Sequence, residues 1–277
     1  MTSGLRPTPP LARLARARIN VCSGDPHGAT ALGFGRGQRS IPSRVSGGAA
    51  RAYSTSEREQ QPLLLYTAGT PNGHKVSIFL EELKDVHGVS YDVHAIDLGT
   101  NAQKQPWFLR LNPNGRIPVL VDTNRAGFRV FETGAVLLYL AQHYDALGRF
   151  APDARAAPDE HSEMLQWMFF THGGIGPMQG QANHFLKFAA EDIPYAKKRY
   201  LDETKRLYGV LDMRLDGRKW LAGPGRGTYS IADMNAIPWV GRHDFTGIET
   251  LDAWPNVQAW VKRTMERPAV RAGMQVP

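Results

Sequence analysis

The stretch Asn112-Pro113-Asn114-Gly115-Arg116-Ile117-Pro118-Val119-Leu120-Val121-Asp122 reads as a turn-rich loop that runs into a short buried strand. Proline has no N–H for a ladder, so Pro118 belongs at the start of that strand, where it suits a cis bond and a sharp bend. The backbone of Ile117 is then free to pair with an extended peptide lying alongside. Upstream, Pro62 to Tyr66 is a short buried-type strand, and Thr70-Pro71-Asn72-Gly73 is a turn that opens a helix. Val76, Phe79, Leu80 and Leu83 recur at helical spacing, and the helix ends near Gly88. Tyr91 to Asp97 is a second strand, and Pro106 to Leu111 a short helix or turn. The third strand is Ile117 to Asp122, the fourth Phe128 to Phe131, and a helix follows from Glu132 to about Tyr144. A helix between two strands implies a parallel crossover, and the last two strands are close enough to form a hairpin.

Beyond this α/β unit, residues 147–159 are rich in Ala, Pro and Asp and read as a linker. Residues 160–277 read as all-helical, over 160–188, 193–217, 230–240 and 255–266. Gly176-Pro177 should kink or split the first of these. Ser230-Ile231-Ala232-Asp233 is a capping box with Asp in the place of Glu. The division is therefore 1–54, a small α/β domain over 62–146, a linker over 147–159 and a helical domain over 160–277.

The chain has 277 residues and a formal net charge of +7. Residues 1–54 contain eight Arg and one acid, Asp25, leaving 25 basic and 25 acidic residues in the remainder. A neutral body argues against a surface that tracks nucleic-acid phosphates. No apolar run approaches the roughly 20 residues that span a bilayer. The nine histidines are scattered without a ligand pattern, so no metal is expected. In the first segment Leu11, Leu14, Ala15, Ile19 and Cys22 share a helical face opposite Arg13, Arg16 and Asn20, although Arg18 falls on the apolar side. An Arg-rich, acid-poor amphipathic N-terminus, disordered in isolation, has the character of a mitochondrial import presequence, with a cleavage-like Arg51-Ala52-Tyr53-Ser54 at its end. A plain disordered tail on a cytoplasmic protein is the alternative. Cys22 is the sole cysteine, so its removal would leave no thiol.

The layout resembles the thioredoxin fold, and with its helical second part the chain is similar to the cytosolic-type glutathione transferases. The likeness covers about residues 62–270. It rests on Leu65-Tyr66 through Thr70-Pro71-Asn72-Gly73-His74-Lys75, on the 112–118 loop, on Phe131-Glu132-Thr133-Gly134-Ala135-Val136-Leu137-Leu138-Tyr139-Leu140 and on Ser230-Ile231-Ala232-Asp233. Gln166-Trp167, Gly174-Ile175-Gly176-Pro177-Met178 and Gly180-Gln181 resemble the nu-class bacterial members and the fungal branch related to the yeast nitrogen-regulator prion protein.

The resemblance implies glutathione as co-substrate, no permanently bound cofactor, a small electrophilic or disulfide second substrate, and a homodimer. Such an enzyme must hold glutathione as thiolate, which takes roughly 1.4–2.8 kcal/mol for a thiol of ordinary pKa. Many families use a Tyr, Ser or Cys after the first strand; here Tyr66 lies inside the strand and Ser77 is a turn too deep in the helix. By resemblance Asn72 is the main thiolate donor and Thr70 its helper, the alternative for Asn72 being a helix cap. Thr133 and its amide would hold the γ-glutamyl carboxylate at a helix N-terminus and Glu132 the ammonium. Ile117, beside Pro118, would pair with the cysteinyl backbone. Gln103 would contact the tripeptide, Arg116 would meet the glycine carboxylate unless it is simply solvated, and Arg199 would reach in from the helical domain unless it is a surface ion pair. His184 is placed either in the acceptor pocket or in a helix packing contact. The expected activity is conjugation of small electrophiles, glutathione-dependent disulfide reduction, or both. A non-catalytic regulator on the same fold and a transferase for one specialised metabolite are the alternatives.

Overall fold

The computed structural model describes residues 61–277, and the first-segment expectations lie outside the described residues. Four strands, β1 (Leu63–Thr67), β2 (Tyr91–Ala95), β3 (Val119–Asp122) and β4 (Phe128–Phe131), form one sheet in the order β2-β1-β3-β4. β1 and β2 are parallel and joined through α1 (Pro71–His87); β3 pairs antiparallel with both β1 and β4. Between β2 and β3 lie a 3₁₀ turn at Ala102–Lys104 and the short α2 (Pro106–Leu109). α3 (Thr133–Tyr144) follows β4 directly.

The third strand begins at Val119 and not at Ile117. Val119 is the last residue to pair with both Tyr66 and Phe131, so Ile117 and Pro118 sit before the ladder, joined by a cis peptide. The loop that delivers them is organised by buried Asn112, whose Nδ2 donates to the Arg116 carbonyl at 2.7 Å and whose Oδ1 accepts the Asn114 N–H at 2.9 Å. Gly115 turns this loop at φ +61°, a conformation that glycine adopts without a Cβ penalty.

The helical half comprises α4 (Pro158–Phe170), α5 (Gly176–Asn183), α6 (Pro194–Leu215), α7 (Ile231–Val240), α8 (Pro255–Met265) and α9 (Pro268–Gly273). Gly176-Pro177 does not split the first helix. A π turn at Thr171–Ile175 joins α4 to α5 and a second, His184–Phe188, ends the run; Thr171, Ile175 and Gly176 all keep right-handed helical dihedrals. The wider turn passes the proline that lacks an N–H, with the Gly176 N–H bonding to the Thr171 carbonyl five residues back. The capping box at Ser230 and Asp233 is present as expected. The short α9 was not anticipated: six residues carry too little periodic signal.

α1 is the shared wall of the two halves. Its apolar stripe enters one continuous core that includes Leu63, Phe79 and Leu140 as well as Met164, Ile237 and Trp260. Two polar contacts dock its other side: the Ser77 hydroxyl donates to the Gly273 carbonyl at 2.7 Å, and Arg267 grips buried Glu82 with two bonds of 2.8 Å. The connection expected to be a loose linker is pinned by Phe150, which is buried against Phe79 edge-to-face at 5.7 Å. This is a thioredoxin-like sheet and helix unit followed by an all-helical unit.

Candidate functional site

Two adjoining cavities, of about 470 and 330 Å³, open where the N-terminus of α1, the 112–118 loop and the start of α3 face α5. They share Asn72, Arg116, Ile117 and Trp239. The larger is completed by Lys75, Glu132, Thr133 and a helical wall that includes His172, Pro177, Gln181 and His184. The smaller is completed by Thr70, Gln103 and Lys104 among others. Eight of the nine predicted site residues, Thr70, Asn72, Gln103, Arg116, Ile117, Pro118, Glu132 and Thr133, therefore meet in one place.

Arg199 does not join them. It is exposed on α6, on the stripe it shares with Glu203 and Arg206, and lines a separate groove with Tyr195 and Lys198. The ion-pair alternative is not realised among the described residues either, the neighbouring Glu203 being taken by Arg206 at 2.7 Å.

The cap of α1 is Thr70, not Asn72. The Thr70 hydroxyl oxygen accepts the Gly73 N–H at 3.2 Å and keeps its proton for another partner. Asn72 is the second residue of the helix, within its first turn, and its side-chain oxygen accepts the Trp239 indole N–H at 3.1 Å. Ser77 is buried and committed to Gly273, so it is unavailable to the site.

Glu132 precedes α3 at φ +68° and ψ 116°, a strained conformation for a residue with a Cβ. It makes no side-chain cap. Its carboxylate instead accepts from Asn114 Nδ2 at 3.4 Å and lies 3.6 Å from His172 Nε2, the latter carried in by the first π turn. Thr133, buried, is the first residue of α3, where free amides and the helix dipole favour an anion. In the smaller cavity's lining the Gln103 Oε1 is buried and has no hydrogen-bond partner among the described residues. His184 lies on the rim, with its ring edge-on to Phe185.

Lys75 was missed by the sequence reading. It is 2% exposed, and burial pulls its pKa down to about 7 against the weaker opposing pull of Glu132. Burial and then the Lys75 charge hold His172 below the usual imidazole range. A signal existed: Lys75 lies four residues before Phe79 on the stripe that α1 buries. Trp239 left no such signal, because it meets Asn72 across 167 positions. Among the described residues no group of three or more His, Cys, Asp or Glu is arranged for a metal ion, and no helix is long and apolar enough to cross a membrane.

The family model for the glutathione S-transferase N-terminal domain matches residues 61–142, and that for the C-terminal domain matches 176–268. The disulfide-bond oxidoreductase YfcG of Escherichia coli is 43% identical over 209 residues, covering 74% of this chain and 91% of that protein. Protein URE2 of Saccharomyces bayanus is 33% identical over 249 residues, covering 76% and 70%. The crystal structure of a glutathione transferase homolog from Lodderomyces elongisporus, with two GSH per subunit, superimposes with a TM-score of 0.72 at 40% identity, over 78% of this chain and 99% of that one. With both family models matched in order, the α/β unit ahead of the helical one, and relatives of the YfcG and URE2 kinds, the chain belongs to the glutathione S-transferase family.

Proposed function

We propose that this protein is a glutathione-dependent transferase and disulfide reductase in which glutathione thiolate is the attacking group. The observation that carries this reading is the pair of cavities that meet over Asn72, with anion-binding and cation-binding groups at one end and hydrogen-bonding groups at the other. In this reading residues 62–146 hold the tripeptide and residues 160–277 supply the acceptor side. The γ-glutamyl carboxylate is received by Thr133, the α3 N-terminus and Lys75, and its ammonium by Glu132. The cysteinyl backbone lies along Ile117 beside Pro118. The glycyl end runs into the smaller cavity towards Gln103 and Arg116. The sulfur then stands at the junction, within the province of Asn72 and Thr70, and faces Pro177, Gln181 and His184. Relatives support the assignment: YfcG is named for disulfide oxidoreduction, and the Lodderomyces structure holds two glutathiones in one subunit.

With a disulfide, the thiolate attacks one sulfur, forming a mixed disulfide and expelling the other sulfur as thiolate. A second glutathione thiolate attacks the mixed disulfide, giving glutathione disulfide and a second free thiol. Two glutathiones are oxidised and one disulfide is reduced. With an electrophilic carbon, a carbon–sulfur bond forms and the leaving group departs. No cysteine occurs in 61–277, so these residues contribute no thiol to either route.

The full chain and its Cys22→Ser variant, given glutathione with a small symmetric disulfide or an aryl halide, test this. Equal turnover by both proteins is expected, with one glutathione disulfide formed per disulfide reduced. Retention of glutathione without turnover of any disulfide or electrophile would instead favour the non-catalytic regulator.

Two further expectations belong to the same reading. A homodimer is supported by the exposed aromatic faces of Phe128 on β4 and Phe169 on α4; a monomeric mass by light scattering at micromolar concentration would count against it. Mitochondrial import with loss of residues 1–54 is supported by their arginine content and near absence of acid. Native protein still carrying a peptide from residues 19–36 would overturn it.

A further inference from the structure

The side-chain amide of Asn72 has two unlike ends, an oxygen that accepts and an NH₂ that donates, and a thiolate is stabilised only by the second. Which end faces the cavities is decided by Trp239. An indole nitrogen is a donor and never an acceptor, so the Asn72 atom 3.1 Å from Trp239 Nε1 is the oxygen. The NH₂ group is thereby turned away from the indole, on a side chain that lines both cavities.

Trp239 is itself held from three directions. Its carbonyl accepts from Gln179 Nε2 at 2.8 Å, and Gln179 Oε1 accepts the Tyr208 hydroxyl at 2.9 Å, both partners being essentially fully buried. Its indole lies against α5, where Gly176 and Gly180 stand one turn apart. A Cβ at 176 would lie 3.2 Å from Nε1 and one at 180 would lie 3.3 Å from Cη2. The small residues of the Gly176-x-x-x-Gly180 spacing thus make a slot for the ring, which also forms part of the wall shared by the two cavities.

We propose that Trp239 is a positioning residue, which fixes the Asn72 amide with its NH₂ toward the glutathione sulfur and so lowers the thiol pKa without touching the thiol. The proposal rests on the reading of Asn72 as thiolate donor. With Trp239 unable to donate, the amide is free to present its oxygen, whose lone pairs disfavour a thiolate.

Trp239→Phe keeps the ring in its slot and removes the N–H. It should raise the pKa of enzyme-bound glutathione by about half to one unit and lower kcat at neutral pH about three- to tenfold. KM for glutathione should stay within about twofold, and activity should recover at alkaline pH, which a merely structural role would not produce. In an Asn72→Ala background the same substitution should cost nothing more, because the two residues act as a unit. If Trp239→Phe does not fold, Gly176→Ala decides, since its methyl crowds the indole nitrogen; it should shift the thiol pKa in the same direction by less. An unshifted pH profile, a change in KM alone, or effects that add in the double variant would overturn the proposal. If Asn72→Ala itself leaves turnover and thiol pKa untouched, it is the donor reading that falls; if Asn72→Ala is impaired while Trp239→Phe is not, only the role of Trp239 falls.

Discussion

The Thr70 hydroxyl oxygen takes the Gly73 N–H at 3.2 Å, and this bond separates two roles that one asparagine could have combined. Since Thr70 caps α1, a substitution at Asn72 probes sulfur chemistry without unravelling the helix. Asn72→Ala should raise the bound thiol pKa by about one to two units, from a lost charged hydrogen bond of roughly 1.5–3 kcal/mol. Turnover at neutral pH should drop about tenfold or more. The affinity for S-methylglutathione should scarcely move, while the thermal midpoint should fall by a few degrees because the Trp239 indole N–H loses its acceptor. Ultraviolet titration of the bound thiol and a melting curve measure the two sides.

Thr70→Val should behave differently. It removes a cap worth about 1 kcal/mol, which for a body of this size lowers Tm by roughly 2–4 °C. A smaller loss of turnover should accompany it, from the missing hydroxyl proton. A Thr70→Ser variant should recover both, and recovery of stability without activity would show that the hydroxyl serves the helix alone.

Lys75→Met should make the protein more stable and a poorer binder. A buried charge replaced by an isosteric apolar chain is often favourable by on the order of 1–4 kcal/mol, so Tm without ligand should rise by several degrees. The sign with pH follows from a folded pKa of about 7 against 10.5 in the unfolded chain. Between those values the unfolded chain holds the extra proton, so this group makes stability rise with pH, and Lys75→Met should remove that slope. Binding of S-methylglutathione should weaken in the wild type as pH climbs through 7 and the ammonium is lost. The variant should bind more weakly throughout and show a flat profile there. Calorimetric titration from pH 6 to 8 measures this; a parallel decline in both proteins would assign the dependence elsewhere.

Glu132→Gly should relieve the positive φ, which costs an alanine-like residue roughly 1–3 kcal/mol, and should therefore stabilise the unliganded fold. It also deletes the carboxylate that faces His172 and Asn114. KM for glutathione should rise at least tenfold. Glu132→Gln, which keeps the strain and removes the charge, should raise KM without the gain in Tm. The pair of melting and kinetic measurements separates geometry from charge.

The four strands, the crossover and the hairpin were legible because each strand is short and set off by Pro, Gly or Asn nearby, and because Pro118 marks where a ladder must begin. Thr133 and Glu132 were legible for a similar reason: a strand ending directly in a helix exposes that helix's N-terminus. Arg199 was misplaced because likeness of a motif fixes a position on a helix, while the packing of Leu207, Leu211 and Leu215 decides which way that helix turns. Lys75 hid in plain view, since a lysine among polar neighbours reads as surface until α1 is seen to be covered on both sides. His172 and Trp239 reach the site by long-range packing, and nothing local to either foretells it.

The π turn at Thr171–Ile175 gives that segment one residue more than an α-helical path would need. Its effect is rotational: every side chain beyond it is swung around the helix axis relative to those before. A single-residue deletion between 171 and 175 would return the helix to regular winding without shortening either flank. His172 would swing away from Glu132, and Gly176 and Gly180 would no longer sit beneath the same ring. Chain length, at this one place, is therefore a determinant of the site as much as residue identity, and homologues one residue shorter here must build both the imidazole contact and the indole seat by another route.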